Sequence, residues 1–160
     1  MTISVPAYSQ NDLRWRFKRV GFSNERFGKV PFISDGVGCT TTALAALLSV
    51  FGYQTQPDQT CDVLKGVKGY LGPLIIWQAV TRAFPNAKFV GRYRSYTVSD
   101  NTKVLSYIKR GTPVMVEVIT PRVKHWVLFL GNKKMLDPWD GKIKPTSTYK
   151  PIGYALFDKL

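Results

Sequence analysis

One histidine and two cysteines are all the imidazole and thiol metal ligands that the 160 residues contain. The cysteines, Cys39 and Cys61, are not in C-x-x-C spacing, so a zinc site would have to recruit carboxylates; no metal and no cofactor is expected. Two cysteines fall far short of a disulfide scaffold, although a single Cys39–Cys61 bridge stays open for an oxidising compartment. Acids are scarce too: 10 Asp and Glu face 23 Lys and Arg, a net charge of +13. No apolar run approaches the roughly 20 residues of a membrane span, and the opening "MTISVPAYSQ" has neither the basic nor the apolar segment of a secretory signal. A chain without its own export signal, and without stable membrane insertion, is expected. No repeat, low-complexity tract or Pro/Gly/Ser linker interrupts it, so residues 1–160 are read as one domain.

The charge is the strongest compositional feature. An excess of this size implies an anionic partner or surface, with nucleic acid, anionic lipid and the bacterial cell wall as candidates; a merely solvated face is the alternative. Residues 14–29, "RWRFKRVGFSNERFGK", set six basic residues against Glu25 alone, with Trp15, Phe17, Phe22 and Phe27 interleaved. Such a segment suits single-stranded nucleic acid. It equally suits an irregular arm whose aromatic residues anchor to the core while Arg and Lys face water.

The first 38 residues carry no clear period. "ALAALLSVF" (43–51) is apolar all round apart from Ser49, as in a helix buried on every side. Pro57 and "DQTCDVLKGV" predict a second helix ending at Gly66 or Gly69, and "PLIIWQAVTRAF" (73–84) a third that stops at Pro85. After the extended "KFVGRYRSYTV", "SDNTKVLSYIKRG" (99–111) predicts a fourth, with capping residues before it and Gly111 behind. "TPVMVEVIT", "KHWVLFLG", "KKMLDPW" and "IGYALFDKL" then read as strands. Helices followed by an antiparallel β-sheet make the fold class α+β.

Cys39 stands at the mouth of the first helix, behind Gly36 and Gly38. Unpaired N–H groups and the positive end of the helix dipole there favour a thiolate, and the glycines are expected to let a substrate chain approach the sulfur closely. A buried structural cysteine is the competing interpretation. His125, the single histidine, opens "HWVLFLG" and is either a core histidine or a base. Gly131-Asn132 is expected to form the hairpin turn that brings Asp137 opposite His125 or one residue off. Cysteine, imidazole and carboxylate would then meet as nucleophile, base and orienter, with Trp139 shielding the pair.

The motifs "VPAYSQNDLRW", "GCTTTALAALLSVFG", "KRGTPVMVEV", "HWVLFLG" and "LDPWDG", in this order, resemble the papain-fold cysteine peptidases of the bacteriocin-processing, or double-glycine peptidase-like, group. The resemblance covers most of the chain. It implies a papain-like fold, Cys39 as nucleophile, His125 as general base and acid, and Asp137 as orienter, with Asp140 as the alternative. It places Gln10 as an oxyanion-hole donor beside the Cys39 N–H. Gly38, Trp126 and Trp139 are expected around the substrate. Many relatives have Gly-Cys-Gly-Pro-Thr where this chain has Gly-Cys-Thr-Thr-Thr, which is expected to add β-branched bulk beside the sulfur.

No transporter region accompanies the peptidase motifs. A small, basic, stand-alone peptidase resembles the single-domain endolysins of bacteriophages, which implies peptidoglycan stem peptides or cross-links as substrate and the polyanionic cell envelope as partner. The expected setting is the host cytoplasm, with action at the cell wall and periplasm after another protein opens the membrane, and the expected state is a monomer. Two alternatives stay open: a peptidase acting on host polypeptides, and a nucleic-acid-binding protein on a catalytically dead peptidase fold.

Overall fold

The computed structural model describes residues 1–32 and 34–160. The described residues before 39 form an arm that carries two isolated bridges, Arg19 with Arg26 and Val30 with Ser34. Helix α1 (Cys39–Leu48) runs into a 3₁₀ turn (Ser49–Phe51) and stops at Gly52, whose φ of 93° a side chain would resist. Every α1 residue from Thr41 to Leu48 is buried, as an all-apolar helix requires. Helix α2 (Pro57–Gly66) starts with Pro57, and the Gln56 N–H donates to Gln59 Oε1 at 3.0 Å.

The third helix departs from expectation. Residues 70–75 instead make a small hairpin, β1 (Tyr70–Leu71) and β2 (Leu74–Ile75), so that α3 covers only Trp77–Ala83. Gly72-Pro73 between the strands is the cause: the glycine adopts φ 59°, and the pair is turn chemistry that outweighs the apolar spacing of Ile75, Ile76 and Ala79. Strand β3 (Ala87–Tyr93) leads to α4 (Val98–Lys109). Its cap is Thr97, two residues before Ser99: Thr97 Oγ1 accepts from the Asp100 N–H at 3.2 Å, and the Asp100 carboxylate accepts from the Thr97 N–H at 2.7 Å.

Strands β4 (Val114–Ile119), β5 (Lys124–Gly131), β6 (Lys134–Asp137), β7 (Lys142–Pro145) and β8 (Lys150–Lys159) join β3 in one antiparallel sheet, ordered β3-β8-β4-β5-β6-β7. Side chains alternate across it. Met115, Trp126, Leu128, Leu130, Ala155 and Phe157 pack with α1, α2 and the arm; Val114, Val116, Val127, Phe129, Tyr154 and Leu156 pack with Val104 and Tyr107 of α4. The sheet is thus covered on both faces, and the α+β class holds. Among the described residues no helix is long and apolar enough to cross a membrane.

Candidate active site

The first turn of α1 lies against the arm. The Gly38 N–H donates to the Phe27 carbonyl at 3.0 Å, and a Cβ on Gly38 would stand 2.5 Å from the Phe27 ring. Gly36, at φ 94°, approaches the Phe27 carbonyl equally closely. Both glycines therefore serve the seating of α1 on Phe27, which corrects the expectation that they open a substrate path. The threonine run is corrected too. Thr41 and Thr42 are buried, with Thr41 Oγ1 2.7 Å from the Tyr70 hydroxyl, and Thr40 alone stays by the sulfur, its Oγ1 3.8 Å from Sγ.

Cys39 is half-buried and Cys61 buried, and both thiols are free. Burial pushes the Cys39 thiol up. The nearby His125 imidazole outweighs that effect with help from the Trp126 N–H and the Thr40 hydroxyl, so the thiol lies below its ordinary range. His125 is 8% exposed and its Nε2 lies 2.7 Å from Asp137 Oδ1, which leaves Nδ1 for the sulfur. Burial lowers the imidazole's pKa, but the bonds to Asp137 and Cys39 raise it further, to about 9. Thiolate and imidazolium stabilise one another.

Asp137 is fully buried and fully paired. Oδ1 accepts from the Trp139 N–H at 3.0 Å in addition to His125, while Oδ2 accepts from Lys144 Nζ and the Tyr149 hydroxyl, both at 2.7 Å. Burial would raise this carboxyl; its partners hold it well below the carboxylate range. Lys144 and Tyr149 escaped sequence reasoning, because β7 and the turn after it carry no strong period. Their one signal was a lysine and a tyrosine following the Asp-Pro-Trp turn at short range.

The hairpin that delivers Asp137 differs from expectation in register. Its turn residues are Asn132 and Lys133, at φ 53° and 55°, with a register shift between Phe129 and Gly131. This is the positive-φ pair of a type I′ turn; Gly131, at φ 95°, belongs to the shift. Leu128 pairs with Leu136, so the same register sets Asp137 opposite Val127, two residues from His125 and on its face. A one-residue offset would have turned the carboxylate to the far face. Asp140 bonds the Lys142 N–H at 3.1 Å and Lys144 Nζ at 3.0 Å, leaving Asp137 as the carboxylate on the imidazole.

Gln10 is 2% exposed. Its N–H donates to the Pro138 carbonyl at 2.7 Å and its Nε2 to the Phe27 carbonyl at 3.0 Å, the same oxygen that takes the Gly38 N–H. The amide thus lies beside the start of α1, with a second Nε2 hydrogen to offer. Its neighbours Ser9 and Asn11 both donate to the Trp139 carbonyl, at 2.9 and 2.8 Å. The arm's Ser-Gln-Asn stretch thereby clamps the Asp-Pro-Trp turn.

A cleft of about 500 Å³ reaches His125, with Trp139, Tyr149, Pro121 and Val123 among its walls and Lys29, Asp35 and Arg122 at its rim; Cys39 itself stands outside that wall. Arg122 reaches Asp35 at 3.1 Å across the rim. Trp139 lines the cleft. Trp126 does not: strand alternation turns its ring into the core, 5.1 Å from Trp77, under the Arg92 guanidinium at 4.8 Å.

A crystal structure of a Bacillus anthracis protein described as a C39-like peptidase is similar over 77% of this chain and 90% of its own, at 13% identity and a TM-score of 0.47. No curated protein matches the chain. The model of the Peptidase_C39 like family matches residues 2–151. With that match spanning nearly the whole length, the chain belongs to the Peptidase_C39 like family, a family of cysteine peptidases.

Proposed function

We propose that the protein is a cysteine peptidase in which Cys39, His125 and Asp137 act as a triad. The observation that carries this is the buried His125–Asp137 bond of 2.7 Å beside a thiol of lowered pKa. The Cys39 thiolate attacks the scissile carbonyl, forming a C–S bond. The oxyanion that develops takes the free Gln10 Nε2 hydrogen and the Cys39 N–H, a contribution of about 3 kcal/mol in such sites. Imidazolium Nδ1 then protonates the leaving amine as the C–N bond breaks, leaving a thioester. Neutral His125 next removes a proton from water, hydroxide attacks the thioester, and the acid product leaves as the thiolate re-forms. Asp137 keeps the imidazole oriented through both halves.

The substrate is peptidoglycan stem peptide or cross-link, and the role is that of an endolysin. Support comes from the +13 charge, which concentrates the protein on a polyanionic envelope, and from the cleft at His125. The purified protein is expected to clear permeabilised Gram-negative cells and release muropeptides identifiable by mass spectrometry, while Cys39→Ala does neither. Cleavage of denatured polypeptide without muropeptide release would redirect the assignment to a protein-processing enzyme. Salt-sensitive binding to single-stranded DNA, with no peptide product and unchanged in Cys39→Ala, would leave a binding protein on a dead fold.

A further inference from the structure

The β1–β2 hairpin, none of whose residues lines the cleft, exposes its apolar tip. Leu71 is 73% and Leu74 67% exposed, on either side of Gly72-Pro73, and Phe22 of the arm is 54% exposed. The two loops are one unit: the Phe22 N–H donates to the Gly72 carbonyl at 2.9 Å, and a Cβ on Gly21 would stand 2.4 Å from that oxygen. Cations border the tip. Lys65 Nζ lies 5.7 Å from the Phe22 ring centre, Lys68 stands two residues before the hairpin, and the Arg82 guanidinium donates to the Val67 carbonyl at 3.1 Å. The α2 carboxylates Asp58 and Asp62 belong to its first two turns, where Lys18 binds Asp62 at 2.7 Å.

We infer that this tip is a docking surface for an anionic lipid bilayer. Three features favour lipid. Leu71 and Leu74 flank a tight turn, so they enter an apolar phase ahead of the domain. Little unpaired backbone goes with them: Leu71 pairs with Leu74 and Tyr70 with Ile75, Pro73 has no N–H, and the Gly72 carbonyl already accepts from Phe22. The surrounding ammonium and guanidinium groups then meet the headgroup phosphates, the arrangement of an interfacial anchor. A second copy of the chain would bring the same cations face to face, and a nucleic acid would find one ring and two leucines that cannot stack.

The test is co-sedimentation with vesicles of phosphatidylglycerol and phosphatidylethanolamine, beside vesicles of phosphatidylcholine alone. The protein is expected to pellet with the anionic vesicles, and Leu71→Ser/Leu74→Ser to weaken this by about tenfold or more, as loss of two buried apolar anchors requires, with melting temperature and cleavage of a soluble peptide unchanged. Lys65→Ala/Lys68→Ala is expected to weaken binding to the anionic vesicles alone. A Leu71→Trp variant is expected to show added quenching by doxyl-labelled lipid. Failure of the wild type to pellet, or equal pelleting of the double serine variant, would overturn the proposal, the second outcome reducing it to adsorption by net charge. A fall from dimer to monomer in that variant would instead reassign the tip to self-association.

Discussion

His125 and Lys144 share one carboxylate: imidazole Nε2 takes Oδ1 of Asp137 and the ammonium takes Oδ2, each at 2.7 Å. The lysine competes with the imidazolium for the same negative charge, so it restrains the rise in the His125 pKa while holding Asp137 in place. Lys144→Met is therefore expected to move the alkaline limb of kcat/KM, set by loss of imidazolium near 9, to higher pH. It should also lower stability by about 1–3 kcal/mol, the cost of an under-satisfied buried oxygen. A pH–rate profile beside thermal melts checks both; an unmoved limb would make Lys144 merely structural.

Stability itself should follow pH through the same pair. His125 has a folded pKa of about 9 against an ordinary 6.5, so its contribution is full below 6.5 and is lost as pH rises through 9. Asp137 is depressed from 3.8, so its contribution is full above that value and fades as pH falls below it. The depressed Cys39 thiol works the other way, contributing more as pH rises toward its ordinary range, and offsets the imidazole's loss above 6.5, so the melting temperature is expected to fall on the acid side of about pH 4 and on the alkaline side of about pH 9. His125→Ala should flatten the alkaline decline.

The two thiols should behave differently. Iodoacetamide is expected to label Cys39 well before Cys61, which is 0% exposed with the Gly21 N–H on its sulfur at 3.4 Å. Cys39→Ala should abolish turnover with little change in melting temperature. Cys61→Ala should retain turnover per folded molecule but lose about 1–3 kcal/mol of stability to the cavity. Peptide mapping of the alkylated protein and denaturant titrations give the answers.

Gln10→Ala is expected to lower kcat about a hundredfold with KM nearly unchanged, because an oxyanion donor acts mainly in the transition state. Some stability should go as well, since its Nε2 also bonds the Phe27 carbonyl under α1. Steady-state kinetics at matched folded fraction separate the effects.

Asp137→Asn is expected to slow turnover severely and leave a residual iodoacetamide reaction at Cys39, whereas Asp140→Asn should be mild. Asp140 has Lys142 and Lys144 as partners and no bond to the imidazole. The reverse ranking would mean that Asp137 does not orient His125.

Most of this architecture was legible in local patterns, and the failures share a cause. The all-apolar 43–51 segment and the β-branched runs after residue 113 determine α1 and the sheet, because each buries its own side chains. The helix predicted from Pro73 fails where a two-residue turn overrides apolar spacing. Cys39, His125 and Asp137 were visible as types, but the partners of Asp137 were not. Lys144 and Tyr149 reach it only through the β6–β7 pairing, in which Asp137 stands opposite Lys142. The glycines before Cys39 are ambiguous in sequence: a missing side chain marks a close approach, and only the fold tells that the neighbour is Phe27.

The clamp between the arm and the Asp-Pro-Trp turn sets a timetable. Ser9, Gln10 and Asn11 are synthesised well before their acceptors at Pro138 and Trp139, which lie about 130 residues further on. Contacts of such separation close late in folding. A nascent chain that has exposed α1 and even β5 carries its thiol and imidazole without the carboxylate, the clamp or a seated Gln10. The His125–Asp137 pair and the seat of Gln10 are therefore expected to form together, once the β5–β6 hairpin and the arm have met.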